Sequence, residues 1–367
     1  MDQRGQTTAA AALIARVTPP TSPADTIRAW PKAELHLHLE GSIEPETAVA
    51  LAERYGQRLA LEEVVARYSY ADFPGFLEAF KWVTTLLREP RDYALIAERL
   101  VAKLRSQNVV YAEITLSVGV MLLRKQDVAA NFSALRAAAE KAAGSALRLQ
   151  WVFDAARQFG VEQAMEVAWL AVGHRREGVV AFGMGGDELA VPAEKFRSAY
   201  DFARSHGLHA LVHAGEVGGA DEVRRVVEIL GAERVGHGIA AIQDPAVVEF
   251  LAERRVPLEV CPTSNLRTGA LSKLTGRPAA GPAKLSEHPV AELFRAGVLV
   301  TLSTDDPAMF QTNLIREYEA GAAAGLRISE LASIAQASFE AAFLPEPERD
   351  ALLARFRELL RVQGLVY

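Results

Sequence analysis

Residues 34–38 read ELHLH, so that His36 and His38 alternate with leucines. Because successive side chains of a β-strand point to opposite faces, this run predicts a strand whose two imidazoles share one face. Seven more short runs rich in β-branched residues follow, and longer segments with helical spacing of apolar residues separate them. The eight predicted strands are residues 34–38, 109–115, 148–154, 179–185, 209–213, 234–237, 256–261 and 298–303.

This alternation predicts an α/β fold, a (β/α)8 TIM barrel, because neighbouring parallel strands need crossover helices. A doubly wound open sheet is the alternative, since spacing alone does not show that the sheet closes. The long interval between the first two strands contains the aromatic stretch 80–82, and we expect helices there to cover the barrel mouth. Residues 1–30, rich in Thr, Ala and Pro, are expected to form a flexible extension, and residues 31–367 a single barrel domain.

The composition excludes several classes of protein. Of the 367 residues, 50% are hydrophobic and 23% are charged, which excludes a disordered chain. Lys and Arg number 40 against 46 Asp and Glu, a formal net charge of −6, so we expect no nucleic-acid partner. No apolar run approaches the roughly 18 residues of a membrane helix, so we expect no membrane partner. The single cysteine, Cys261, favours a reducing compartment, and we expect the cytoplasm.

Polar residues concentrate where the predicted strands end, which is where barrel enzymes carry their active sites. Three histidine nitrogens and one carboxylate would suit a single Zn²⁺ ion with a position left open for water. Three further groups would then accept a proton or orient the water. The candidate ligands are His36, His38, His213 and Asp305, and the three further groups are Glu216, His237 and Asp306. The alternative interpretation is a solvated polar rim without a metal.

Six segments together resemble the adenosine deaminase family of the amidohydrolase superfamily. The resemblance implies a (β/α)8 barrel that holds one zinc ion and removes the 6-amino group of an adenine ring by hydrolysis. It also implies that the four candidate ligands bind the zinc. Neither 151–157 nor 179–188 contains the lysine with which related barrels bridge two metals, so we expect a single ion. The segments are PKAELHLHLEGSIEP (31–45), GMGGDE (183–188), HAGEVGG (213–219), VGHGIA (235–240), CPTSNLRTG (261–269) and STDDPAMF (303–310).

The same resemblance implies a role for each remaining site residue. Glu216 is similar to the residue that gives a proton to N1 of the purine, and His237 to the one that orients the attacking water. Asp306 corresponds to the acid that contacts N7. Gly186 corresponds to the glycine whose backbone N–H binds N3, and a backbone donor without a side chain can approach a flat ring closely.

The substrate side departs from the adenosine-specific pattern. Such enzymes usually carry Asp after the histidine pair, where it meets the ribose 5′-hydroxyl, whereas this chain has Glu40. We therefore expect a small-molecule purine nucleoside altered at its 5′ position, with Glu40 on that side. The stretches YAEITLSVGVMLLRKQ (111–126) and CPTSNLRTGAL (261–271) look most like family members that deaminate 6-amino-6-deoxyfutalosine of menaquinone synthesis, and this resemblance implies that substrate. Its 5′ extension ends in an aromatic carboxylate, for which Arg267 is the candidate cation. The alternatives are adenosine, then free adenine or a non-catalytic ligand-binding barrel, and a homo-oligomer stays open.

Overall fold

The computed structural model describes residues 22–276 and 283–365. The described residues form a barrel of eight parallel strands in the order β1 to β8. Leu37 of β1 pairs with Asp305, just after β8, which closes the barrel. The predicted fold is therefore confirmed. The strands are β1 Lys32–His38, β2 Val109–Leu116, β3 Arg148–Ala156, β4 Val179–Gly185, β5 His209–Ala214, β6 Arg234–His237, β7 Leu258–Val260 and β8 Val300–Leu302.

Helices occupy the connections between these strands and cover the outside of the barrel. Helix α10 continues into a π-helical turn, Val226–Leu230. The α-helices are α1 Pro23–Ala29, α2 Pro45–Arg54, α3 Leu61–Arg67, α4 Phe73–Val83, α5 Pro90–Ser106, α6 Val118–Leu123, α7 Val128–Ala143, α8 Val161–Gly173, α9 Arg197–Ser205, α10 Ala220–Arg225, α11 Pro245–Arg254, α12 Pro262–Arg267, α13 Ala270–Leu274, α14 Val290–Arg295, α15 Leu314–Ala323, α16 Ile328–Glu340 and α17 Glu346–Val362.

The insertion between β1 and β2 forms α2 to α5, and α4 reaches the carboxyl end of the barrel. Asp72 caps α4 by accepting a hydrogen bond from the Gly75 N–H at 2.9 Å. Phe73, Phe76 and Phe80 of this helix line the same cavity as residues at the strand ends. The predicted helical cover over the mouth is confirmed.

The amino-terminal part of the described chain packs against the barrel. Helix α1 lies within the predicted 1–30 extension, and its Ile27 is buried in the core. Trp30 is also buried and donates from Nε1 to Gln363 Oε1 at 2.8 Å. The prediction for residues 1–21 lies outside the described residues. In the part of the chain that is described, no helix is both long and apolar enough to cross a membrane.

Candidate active site

The candidate metal ligands converge at the carboxyl ends of β1, β5 and β8. His38 Nε2 lies 3.3 Å from His213 Nε2 and 3.4 Å from Asp305 Oδ1. His36 Nε2 lies 3.6 Å from the same Asp305 oxygen. The parallel register places β5 beside β6 and sets Ala214 opposite His237, so this fourth histidine joins the group. The structure thus brings together five polar residues that lie up to 269 positions apart, from His36 to Asp305.

Two of these residues have unusual backbone conformations. Asp305 has φ +62° and His237 has φ +61°, in the left-handed region that non-glycine residues seldom adopt. Backbone hydrogen bonds hold Asp305 in place, because its N–H donates to His36 O at 2.9 Å and its carbonyl accepts from His38 N–H at 2.8 Å. Strain of this kind persists where the surrounding structure fixes it, and it often occurs at functional sites.

His36 is oriented by a buried ion network inside the barrel. Its Nδ1 lies 2.8 Å from Glu259 Oε2, and Arg234 Nε donates to Glu259 Oε1 at 2.6 Å. Burial raises the pKa of Glu259, but the charge of Arg234 and the hydrogen bond with His36 lower it by more. The pKa of Glu259 therefore lies below the usual range. A carboxylate on Nδ1 directs the Nε2 lone pair of His36 towards the cluster. That Nε2 is buried and has no hydrogen-bond partner.

His213 is oriented in the same sense. Its Nδ1 lies 3.1 Å from the carbonyl of Met184, so the ring donates there and turns Nε2 to the cluster. Burial, reinforced by the neighbouring imidazoles, lowers the pKa of His213 well below its ordinary value, and burial lowers that of His38 to about 4. Both rings are therefore neutral near pH 7, as metal ligands must be.

These residues fit a zinc ion chemically. Three imidazoles and a carboxylate match the ligands that Zn²⁺ takes in catalytic sites, and an orphaned buried nitrogen on His36 is what such an ion would satisfy. Two overlapping groups have donor atoms within 4.8 Å of one another. They are His36, His213, His237 and Asp305, and His38, Asp305 and Asp306. Distances alone therefore leave open whether His38 or His237 is the third histidine ligand.

Glu216 lies beside this cluster. Its Oε1 accepts from Thr268 Oγ1 at 3.1 Å, and its Oε2 lies 3.5 Å from His237 Nε2. Burial, followed by the negative charge of Asp305, raises the pKa of Glu216 well above its ordinary value. The side chain can therefore carry a proton into a reaction at neutral pH.

The loop that presents Glu216 is held by the carboxylate of Glu188. Its two oxygens accept four backbone N–H groups, at 2.9 to 3.1 Å. The donors are Gly215, Glu216, Val217 and Gly218. This carboxylate from the chain after β4 thus fixes the backbone after β5.

Asp306 and Gly186 complete the polar end of the site. Asp306 Oδ1 is buried without a hydrogen-bond partner, and burial together with Asp305 raises the pKa of its carboxyl well above the usual range. Gly41 allows this position, because a β-carbon there would overlap the Asp306 carboxyl group. Gly186 has φ +84°, and a β-carbon there would overlap the amide of Gln158. Both glycines are therefore required by geometry.

A cavity of about 330 Å³ opens over these groups. Its polar end contains six of the predicted site residues. An apolar wall from α4 and α6 forms another part of its lining, which also contains two cations. The polar group is His38, His213, Glu216, His237, Asp305 and Asp306, with Gly186 beside them. The apolar wall includes Phe73, Phe76, Leu77, Phe80, Val120 and Leu123. The cations are Lys81 and Arg124.

Two predicted substrate contacts do not line this cavity as the described residues form it. Glu40 is 2% exposed and accepts from Ser117, from the N–H at 3.1 Å and from Oγ at 3.2 Å. Arg267 donates from Nη2 to Tyr68 O at 3.2 Å, and its guanidinium lies 5.9 Å from the Tyr70 ring centroid. The structure therefore gives no support to a direct role of either side chain in substrate binding.

Other residues of the site were not identified from the sequence. Asp154 lines the cavity at the end of β3, where the strand-end rule could have found it. Glu259 lies within β7 and Arg124 follows α6, and no local pattern distinguishes them. Asn265 lies on α12, after β7. Only the folding of the chain brings it into contact with His237.

Comparisons with known proteins find similarity to deaminases and to an amidohydrolase. The chain matches the family model for adenosine deaminase over residues 31–359. It is 40% identical over 330 residues to an aminodeoxyfutalosine deaminase of Streptomyces coelicolor, an alignment that covers 88% of this chain and 82% of that protein. It is 36% identical over 325 residues to an adenine deaminase of Sinorhizobium medicae, covering 88% and 97% respectively. A crystal structure of an amidohydrolase from Burkhoderia ambifaria with bound Zn superposes with a TM-score of 0.83 at 25% identity, covering 96% of this chain and 98% of that one.

Proposed function

The chain belongs to the adenosine deaminase family, and from that premise we propose that it removes the 6-amino group of an adenine-containing nucleoside with one Zn²⁺ ion. The family performs hydrolytic deamination of adenine compounds. The observation that carries the proposal is the position of the buried Glu216 carboxyl, whose pKa burial raises, beside the convergent histidines and Asp305 in one cavity. We assign the ion to His36, His38, His213 and Asp305.

The chemistry requires a nucleophile at C6 and a proton at N1. Zn²⁺, when bound, lowers the pKa of water to about 7 and so makes a nucleophile available at neutral pH. Glu216 gives its proton to N1 as the water oxygen adds to C6, which prevents charge from building on the ring. One proton of the water passes to the 6-amino group, so the C6–N bond breaks and ammonia leaves. The other passes to the Glu216 carboxylate as the C6 carbonyl forms, which restores Glu216 for the next turnover.

The other residues position the ring. The backbone N–H of Gly186 binds N3, since no side chain separates it from the cavity. Asp306, whose Oδ1 is unpaired inside the protein, contacts N7. His237 orients the water. Thr268 holds Glu216 through the 3.1 Å hydrogen bond.

For the substrate we infer 6-amino-6-deoxyfutalosine. An apolar wall in a cavity that is also lined by cations suits an extension at the 5′ position that is itself apolar and ends in a carboxylate. Arg124 is better placed than Arg267 for that carboxylate. Its Nη2 donates to Lys81 O at 3.0 Å and to Thr84 Oγ1 at 2.9 Å, so the guanidinium is fixed and Nη1 is available to a ligand. Lys81 is 73% exposed and lies 3.5 Å from Glu78, which weakens its own claim.

Free adenine is the second candidate substrate, because the relative from Sinorhizobium medicae is named an adenine deaminase. Adenosine remains a third. The test is ultraviolet absorbance of the zinc-loaded protein with 6-amino-6-deoxyfutalosine, adenosine and adenine, following the change from adenine to hypoxanthine. We expect kcat/KM to be higher by orders of magnitude for the first. A preference for adenine or adenosine would overturn the substrate assignment but not the deamination.

A variant pair tests the carboxylate contact. Arg124→Gln should lower kcat/KM for 6-amino-6-deoxyfutalosine by about 10- to 100-fold, as loss of a hydrogen bond to a charged group costs about 1.5–3 kcal/mol. It should leave adenosine turnover nearly unchanged. Arg267→Gln is the matched control. If Arg267→Gln gave the larger loss, Arg267 would be the cation that binds the carboxylate.

A further inference from the structure

A chain of buried hydrogen bonds approaches His237 from the side away from the metal site. It begins at Val290, the first residue of α14, whose backbone N–H donates to His288 Nδ1 at 3.2 Å. A backbone N–H can only donate, so His288 Nδ1 is an acceptor, and a neutral imidazole then carries its hydrogen on Nε2. His288 is buried, and burial, together with the nearby His237, lowers its pKa to about 3, so its ring is neutral near pH 7.

The second link is Asn265, which is fully buried between the two rings. His288 Nε2 lies 3.2 Å from Asn265 Oδ1, and Asn265 Nδ2 lies 3.1 Å from His237 Nδ1. The orientation of an amide and the tautomer of a histidine are inferred from the surrounding network. Here that network starts at a group whose role is fixed, so the oxygen of Asn265 faces His288 and its NH₂ group donates to His237. His237 Nδ1 is therefore an acceptor.

We propose that Asn265 and His288 are positioning residues that hold His237 as the tautomer with its hydrogen on Nε2. His237 then presents a donor to the site. The Nδ1 atoms of His36 and His213 instead face Glu259 and the Met184 carbonyl, which leaves their Nε2 atoms for a metal ion. Two carboxyl oxygens lie near His237 Nε2, Glu216 Oε2 at 3.5 Å and Asp305 Oδ2 at 3.8 Å.

This tautomer decides which of the two overlapping groups supplies the third histidine ligand of the metal. His237 has suitable distances to be a metal ligand, but a nitrogen that carries a hydrogen offers no lone pair. The third histidine ligand is therefore His38, and the N–H of His237 is available to the oxygen of a water in the cavity. The catalytic consequence rests on the proposed function, whereas the tautomer itself can be measured without any substrate.

The experiment is nuclear magnetic resonance of the full chain labelled with ¹⁵N-histidine, metal-free and then loaded with Zn²⁺. The spectrum of a His237→Gln variant identifies the His237 signals by their absence. In the wild-type chain we expect Nε2 of His237 to have a directly bonded hydrogen and Nδ1 to have none, and zinc should leave this unchanged. A hydrogen on Nδ1, or loss of the Nε2 hydrogen when zinc binds, would overturn the proposal.

Asn265→Asp tests the cause, because a carboxylate of the same shape can only accept. It should move the hydrogen of His237 to Nδ1 and lower kcat by about 10²-fold or more, with KM little changed. The control is Asn131→Asp, which places a carboxyl at another buried asparagine, on α7, and should not alter the His237 signals. If Asn265→Asp does not fold, His288→Ala should give a mixture of both tautomers. An unchanged His237 spectrum in a folded variant would show that the hydrogen bonds through Asn265 and His288 do not set the tautomer of His237.

The two levels of the proposal fail separately. If the wild-type tautomer is as expected and Asn265→Asp exchanges it, but no purine is deaminated, the proposed function is wrong and the structural inference stands. If a purine is deaminated while His237 carries its hydrogen on Nδ1, the inference is wrong and the function stands.

Discussion

Glu216 is the residue on which the proposed proton transfer depends. Glu216→Gln keeps the size of the side chain but removes the transferable proton, so kcat should fall by about 10²–10⁴-fold. Zinc content should stay the same, because Glu216 is not among the assigned ligands. Turnover and bound zinc are measured on one preparation. Glu228→Gln, at an exposed residue paired with Arg224, is the control, and near-normal turnover of Glu216→Gln would defeat the mechanism.

Gly41 is required by the position of Asp306. Gly41→Ala would place a methyl group where the Asp306 carboxyl lies. We expect the free energy of unfolding to fall by about 1–3 kcal/mol, the usual cost of overpacking, and turnover to fall as Asp306 moves. Denaturant titration and initial rates measure the two effects. At Gly173, where nothing lies within 4 Å of an added β-carbon, the same change to alanine should be neutral or mildly stabilising, and equal losses at both positions would contradict the packing argument.

At the scale of elements, the loop after β5 depends on one carboxylate from the chain after β4. Glu188→Gln would replace one oxygen, which accepts two backbone N–H groups, by an NH₂ group that faces them. Unsatisfied buried donors cost about 1–3 kcal/mol. We therefore expect a loss of stability of that size together with lower kcat, because the loop carries Glu216. Thermal unfolding and initial rates are the measurements.

The control for this loop is Glu194→Gln, whose side chain is 44% exposed and pairs with Arg225. It should change stability by less than about 1 kcal/mol, as surface ion pairs usually do. If Glu188→Gln were as stable and as active as this control, the carboxylate would not be what positions the loop.

At the scale of the whole molecule, a bound ion should stabilise the fold. The candidate ligands come from β1, β5 and the end of β8, so one ion would join distant parts of the barrel. At a free Zn²⁺ concentration about 100-fold above Kd, binding adds about 2.7 kcal/mol to the free energy of unfolding. The midpoint of thermal unfolding should therefore rise when zinc is added to chelator-treated protein. The His36→Ala variant should largely lose this rise in the unfolding midpoint. The control is His209→Ala, which alters a 42% exposed ring and should keep the rise. An equal rise in both variants would remove His36 from the ligand set.

The barrel itself could be predicted from local patterns. Strand and helix periods are properties of neighbouring residues, and the eight runs and their crossover segments therefore appeared in the linear sequence. The ends of β7 and β8 could not be placed as well. Residues 256–261 and 298–303 were predicted, whereas the strands are Leu258–Val260 and Val300–Leu302. Strand ends are set by pairing with a neighbour, which the sequence of one strand does not contain.

The barrel and the strand ends at which polar residues collect follow from local sequence patterns, and the family resemblance adds the expected chemistry of those residues. The partner that each side chain meets depends on how the chain folds. The fold turns Arg267 to the Tyr68 carbonyl and brings Arg124 to the cavity, and it joins His288 to His237 through Asn265. The physical reason is that periodicity fixes the direction of a side chain within its own element, whereas hydrogen bonds and burial depend on the packing of elements that are far apart in the chain.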